Sequence, residues 1–342
     1  MRDRFKRSME SFFFDPERFG ELFRPFIPDF EQKAATVRRR RNAGPDLVEV
    51  KGFGSNPGNL RMLEYVPDDL PADAPLVVVL HGCRQTADSY DRAAGWAALA
   101  REHGFAVLYP EQREANNPRR CFNWFRPSEV TRDRGELASI RHMIEHLRTR
   151  TRADPTRIYI TGLSAGGAMT AAMLASYPEL FAAGAIIAGL PFGAARDARR
   201  ALAAMEQVPD RNAREWGELV RAAAPAQGRL PSVSVWHGTA DRTVSISNAE
   251  ALVAQWLDVH GLDPAAFSET RAKGRRSRRW RDADGRSLVS FHRIAGLGHG
   301  TPVTRGKGGG YALRSEPFML DAGFSSTLEL AREWGVLRPK RQ

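Results

Sequence analysis

The sequence predicts an α/β fold: a mostly parallel sheet with helices on both faces and a β-hairpin leading into it. Three observations carry this expectation. Short apolar runs alternate with helical patterns through most of the chain, LVVVL (76–80) is apolar throughout as a doubly covered strand is, and a turn-like stretch joins two strand-like segments near residue 55. The length of 342 residues, 42% hydrophobic and 27% charged, suits such a fold and can bury a sizeable core.

In chain order, LVEVKGFG and NLRMLEYV, separated by Ser55-Asn56-Pro57-Gly58, predict the hairpin. LVVVL is followed by a helix expected from about Tyr90 to His103, then by the strand FAVLYP (105–110) and a helix from about Gly135 to Thr149. IYITG (158–162) leads into a helix from about Ala165 to Tyr177, stopped by Pro178. AAGAIIAG (182–189) and SVSVWHG (232–238) are further strands. A helix from about Asn248 to His260 precedes a last β segment, SLVSFHRI (287–294). The expected domain therefore covers 46–342. Residues 191–230 break the alternation, as a cap over the pocket or an ordinary helical insertion would. Residues 1–45 read as a separate arm, since eight of the 18 phenylalanines fall between Phe5 and Phe30.

Composition narrows the function classes. No window approaches 18 uninterrupted apolar residues, which excludes a helical membrane span. MRDRFKRSMESFFFDPERFG lacks a long apolar core and a small-residue cleavage site, so no secretory leader is expected; with only Cys83 and Cys121, this points to the cytoplasm. The net charge of +11 comes largely from Arg38–Arg41 and from RAKGRRSRRWR (271–281). Neither cluster belongs to a nucleic-acid reader module, so they are expected to be solvated surface and no nucleic-acid partner is expected. His142-Met143-Ile144-Glu145-His146 matches H-x-x-E-H. Its histidines, however, fall opposite the apolar face of Leu137, Ile140, Ile144 and Leu147, so no metal is expected there.

The chemistry gathers around Gly162-Leu163-Ser164-Ala165-Gly166. A strand enters this G-x-S-x-G, small residues flank the serine, and an alanine-rich helix leaves. That is the arrangement in which a strained serine is held above a sheet as nucleophile. A serine needs a base, and in this arrangement an acid and then a histidine follow it along the chain. His299 lies in the glycine-rich loop AGLGHG directly after a strand, whereas His260 ends a helix and His292 lies inside a strand. Asp241, in HGTADRTV after SVSVWHG, is the acid so placed. An oxyanion hole is expected from the amide of Ala165 and from the loop after LVVVL, His81-Gly82-Cys83-Arg84-Gln85, with the Cys83 amide as second donor. No cofactor is implied. A serine peptidase, a thioesterase and a polymer-binding protein are the competing readings.

HGCRQTA, VLYPEQ, CFNWF, TGLSAGGAMT with YPELFAAG, and HGTADRTV closely resemble the polyhydroxybutyrate depolymerase-like esterases of the α/β-hydrolase fold, over roughly 46–337. The resemblance implies Ser164, Asp241 and His299 as the triad and Cys83 and Ala165 as oxyanion donors. It implies activity on esters of short hydroxy acids or on aromatic esters such as feruloyl groups. It also puts Cys83 and Cys121 beside the active site, where a bridge would pin the oxyanion loop to CFNWF; the cytoplasmic expectation favours free thiols. Trp124, beside Cys121, and Gln85 are the candidate pocket residues. Two departures shape the expectation: Gly300-Thr301-Pro302 follows the histidine, where family members commonly carry an aromatic-Pro segment, and no leader, linker or binding domain accompanies the core. An intracellular ester or oligomer hydrolase is therefore expected, with residues 1–41 either an arm whose phenylalanines pack on its own core or a second subunit, or a candidate contact to a polyester granule or membrane surface.

Overall fold

The computed structural model describes residues 46–225, 228–272, 274–304 and 316–338. The expected N-terminal arm, 1–45, lies outside the described residues.

The hairpin strands are β1 (Val48–Val50) and β2 (Arg61–Tyr65), paired antiparallel. Next come β3 (Leu76–Leu80), α1 (Ala87–Ala94), α2 (Trp96–His103), β4 (Ala106–Glu111), α3 (Gly135–Thr151), β5 (Ile158–Leu163), α4 (Ala165–Ser176) and β6 (Ala183–Ile187). After α5 (Ala198–Glu206) and α6 (Ala213–Ala223) the chain forms β7 (Ser232–Gly238), α7 (Ser247–His260), β8 (Phe267–Ala272), β9 (Arg275–Arg281) and β10 (Ser287–Ile294). Two short strands, β11 (Thr301–Val303) and β12 (Met319–Asp321), and α8 (Ser326–Glu333) complete it.

The main sheet runs β1-β2-β4-β3-β5-β6-β7-β10-β9-β8, and its centre, from β4 to β10, is parallel. Alternate residues of β3 explain why LVVVL is apolar throughout. Leu76, Val78 and Leu80 enter a core with α3, α4 and α7, while Val77 and Val79 enter a second core with α1, α2 and α8. On that second face Trp334 stacks on Tyr159 and Trp96, with ring centroids 5.0 and 5.6 Å away, anchoring the end of the chain to the sheet.

Two differences from the sequence reading have physical causes. The helix expected over 90–103 is two helices, because Gly95 turns left-handed (φ 78°) between them and Asp91 caps the second by accepting from the Ala97 amide at 2.9 Å. The basic run 271–281 forms most of an antiparallel hairpin, β8–β9, that extends the sheet. There Ser277 and Trp280 turn inward, while Arg271, Arg276 and Arg278 gather on the carboxylate of Glu269. Charge on the outward residues hid a strand whose inward residues are ordinary. Described residues of the segment 191–230 dock on α7 through Gln255, whose side chain bonds the Phe192 backbone and the Trp216 carbonyl oxygen.

The histidines of HMIEH lie half-buried on α3, and His142 Nε2 is 2.9 Å from an Arg141 guanidinium nitrogen.

Candidate active site

Ser164 sits between β5 and α4 with φ 56° and ψ −116°, a backbone region that costs a non-glycine residue about 1–3 kcal/mol. The surrounding glycines make this turn sterically feasible. A Cβ on Gly162 would stand 2.4 Å from the Gly166 carbonyl oxygen, and one on Gly166 would stand 2.4 Å from that of Leu80. The start of α4 is thereby pressed against the end of β3, which brings the Ser164 turn beside the HGCRQ loop.

The loops carrying Asp241 and His299 are laced together. Thr239 N–H donates to the Ile294 carbonyl at 2.9 Å, Ala240 N–H to that of Leu297 at 3.0 Å, and Gly296 N–H to Thr239 Oγ1 at 3.0 Å. The pairing of β7 with β10 sets these two loops side by side. Beyond His299 the chain is held by the pairing of β11 with β12.

The structure brings Ser164, His299 and Asp241 into contact. His299 Nε2 is 2.9 Å from Ser164 Oγ and its Nδ1 is 2.8 Å from Asp241 Oδ2. A carboxylate only accepts, so Nδ1 carries the hydrogen and Nε2 is free to accept from the serine hydroxyl. Asp241 Oδ1 takes amide hydrogens from Thr243 and Val244 at 2.8 and 2.9 Å. Burial works to raise the Asp241 pKa, yet the hydrogen bond and charge of His299, with His237 and the Val244 amide, outweigh it and hold the carboxyl below its usual range. The other two candidate histidines lie elsewhere. His292 stacks on Trp236 at 3.9 Å and bonds Ser277, and burial pushes it well below the usual imidazole range. His260 faces the Pro231 carbonyl oxygen at 3.1 Å.

Ala165 opens α4, so its amide has no acceptor within the helix. In the HGCRQ loop the Gly82 amide donates to Gln85 Oε1, the Arg84 amide to the Arg119 carbonyl and the Gln85 amide to the Gly82 carbonyl. The Cys83 amide is the one of these four with no such acceptor among the described residues. Gln85 itself is buried, with Oε1 on Gly82 and Nε2 on the Pro317 carbonyl at 2.9 Å. Its amide thus ties the loop to the Pro317 segment.

Cys83 and Cys121 form a disulfide, with Cα atoms 4.2 Å apart. The CFNWF segment it reaches is fixed by a buried carboxylate that sequence reasoning missed. Glu136 accepts from the Asn123 amide at 2.9 Å, and from Asn123 Nδ2 and Gln112 Nε2 at 2.6 Å each. Burial lifts Glu136 to about 7 despite these donors. His81 was also missed as a support: it donates from Nδ1 to the Gly82 carbonyl at 2.7 Å and accepts the Gln112 amide at Nε2, 3.1 Å away. Neither role has a sequence signal of its own, since Glu136 looks like any first-turn acid. Trp124 is half-buried and packs against the cluster that contains Ala168, one turn beyond Ser164, with Leu190 and Trp216.

The chain is similar to known carboxylic-ester hydrolases. Residues 62–279 match the family model described as esterase PHB depolymerase. The chain is 40% identical over 292 residues to poly(3-hydroxyalkanoate) depolymerase C of Paucimonas lemoignei, covering 85% of this chain and 70% of that protein. It is 34% identical over 224 residues to feruloyl esterase B of Thermothelomyces thermophilus, covering 64% and 76%. Among solved structures, acetyl xylan esterase from Aspergillus awamori superposes with a TM-score of 0.68 at 28% identity, over 75% of this chain and 94% of that one. The fold is therefore that of an α/β-hydrolase, and the chain belongs to the esterase PHB depolymerase family of carboxylic-ester hydrolases.

Proposed function

We propose that the chain hydrolyses esters of short hydroxy acids, their oligomers, or aromatic esters, by acyl transfer through Ser164. The observation that carries this reading is the unbroken pair of hydrogen bonds from Asp241 to His299 to Ser164. Ser164 Oγ attacks the ester carbonyl carbon as its proton passes to His299 Nε2. The carbonyl oxygen becomes an oxyanion facing the amides of Cys83 and Ala165, where fixed dipoles meet the new charge without reorganising. Collapse expels the alcohol, which takes the proton from His299. Water, deprotonated by the same nitrogen, then attacks the acyl-enzyme and releases the acid. Asp241 holds the tautomer and offsets the charge of the transient imidazolium. Trp124 forms one wall of the acyl site in this reading.

The setting belongs to the same proposal. Residues 1–41 interleave phenylalanine with arginine, which suits a segment that lays its rings on a granule or membrane surface. Deleting them should abolish co-sedimentation with that surface and leave turnover of soluble esters unchanged. The sequence reading puts the protein in the cytoplasm, whereas the Cys83–Cys121 bridge fits an oxidising compartment; alkylation of thiols in intact cells decides between the two. The substrate class is tested by a panel of 4-nitrophenyl esters of increasing acyl length, methyl ferulate, hydroxybutyrate oligomers and amorphous polymer. Turnover of short 4-nitrophenyl esters, with a clear preference for oligomers or ferulate, supports the proposal. Cleavage of peptides or acyl thioesters at far higher kcat/KM overturns it.

A further inference from the structure

A second buried imidazole stands beside the acid. His237, next to last in β7, is 1% exposed. Its Nε2 lies 2.9 Å from the Val244 carbonyl oxygen and 3.4 Å from Asp241 Oδ2. A carbonyl oxygen only accepts, so Nε2 carries the hydrogen and Nδ1 is bare. Nδ1 is buried and has no hydrogen-bond partner among the described residues. Burial lowers the ring's proton affinity more than the charge of Asp241 raises it, which keeps the imidazole neutral in this tautomer.

An unpartnered buried nitrogen is a standing penalty, which an aliphatic side chain at this position would avoid. The Nε2–H is what the ring supplies in return. Val244 is held from both sides, its amide on Asp241 Oδ1 and its carbonyl on His237. The path from Asp241 through Val244 to His237 and back to Oδ2 closes a ring of contacts around the loop that presents the acid. We infer that His237 is a positioning residue whose Nε2–H fixes this loop and aims Asp241 Oδ2 at His299 Nδ1. The inference rests on the triad reading proposed above.

Three variants of the full chain test it. Glutamine carries an amide nitrogen about as far from Cα as His Nε2, asparagine stops short of Val244, and leucine carries no donor. With 4-nitrophenyl butyrate, His237→Asn and His237→Leu should lower kcat by about 10- to 100-fold with KM within about 2-fold, since a displaced acid misaligns the base without touching substrate binding. His237→Gln should stay within about 3-fold of the parent kcat. Thermal unfolding identifies any variant that has not folded. If leucine fails to fold, the two polar variants decide the matter. Parental kcat in folded His237→Asn overturns the inference, and so does a fall in His237→Gln as deep as in His237→Asn. Ser164→Ala in the same assay separates the two readings. If it still turns over, the hydrolase mechanism fails; if it is inactive while the His237 variants match the parent, only the role of His237 fails.

Discussion

Removing the bridge between Cys83 and Cys121 should loosen both the fold and the oxyanion loop. The two cysteines are 38 residues apart, and closing a loop of that length removes about 13 cal/mol/K of chain entropy from the unfolded state, or about 4 kcal/mol at 25 °C. Retained structure in the unfolded chain reduces this, so a loss of about 2–4 kcal/mol is expected for Cys121→Ala. The catalytic effect is separate. The backbone amide at position 83 survives the substitution, and the loop keeps its ties from Gln85 to Pro317 and from the Arg84 amide to Arg119. A drop in kcat on the order of 10-fold is therefore expected, below the roughly 10²–10³-fold that follows outright removal of an oxyanion donor. Urea unfolding at pH 7 reads the first quantity, and steady-state hydrolysis of 4-nitrophenyl butyrate reads the second. Two alkylated thiols on native protein without reductant, or a variant with the parental midpoint and kcat, would refute the reasoning.

Asp241→Asn should keep its oxygen on the Thr243 and Val244 amides and turn its NH₂ toward His299. That forces the imidazole into the tautomer that cannot accept from Ser164; kcat near neutral pH should fall by about 10⁴-fold, and a loss under 10-fold would contradict the assignment. For Glu136, burial places the folded pKa at about 7, above the ordinary carboxylate value of 4.5. The folded protein thus binds this proton more tightly than the unfolded chain. The group's contribution to stability is full below about pH 4.5 and is lost as pH rises toward 7. Glu136→Gln, which cannot ionise, should therefore gain on the parent by up to about 3 kcal/mol between pH 5 and pH 8 in urea titrations, and a difference that does not change with pH would count against the assignment.

How much of this was legible in the sequence depends on the range of the interaction involved. Ser164 announced itself because a strained serine needs small neighbours at fixed offsets, and Gly162 and Gly166 are those neighbours. Asp241 and His299 were legible because strand ends precede both, although the bonds that bring their loops together could not be read from either segment. The β8–β9 hairpin was missed because seven of the eleven residues 271–281 are arginine or lysine, and its two buried side chains, Ser277 and Trp280, stand three apart on opposite faces and leave no alternation to read. Glu136, His81 and His237 were invisible as supports because their partners lie in other elements: Gln112 and Asn123 for the first, Gln112 for the second, and the acid loop for the third. The bonds of Gln85 were equally invisible, since its Nε2 reaches the Pro317 carbonyl, 232 residues along the chain.

The central claim is that Ser164 attacks the substrate carbonyl, and covalent labelling tests it most directly. A 4-nitrophenyl alkylphosphonate should release roughly one 4-nitrophenolate per chain, abolish esterase activity and leave its phosphonyl mass on the peptide that contains Ser164. Ser164→Ala should take no label and lose about 10⁴-fold or more in kcat while unfolding at the parental midpoint. Label on a different residue, or esterase turnover that persists in folded Ser164→Ala, would contradict the account.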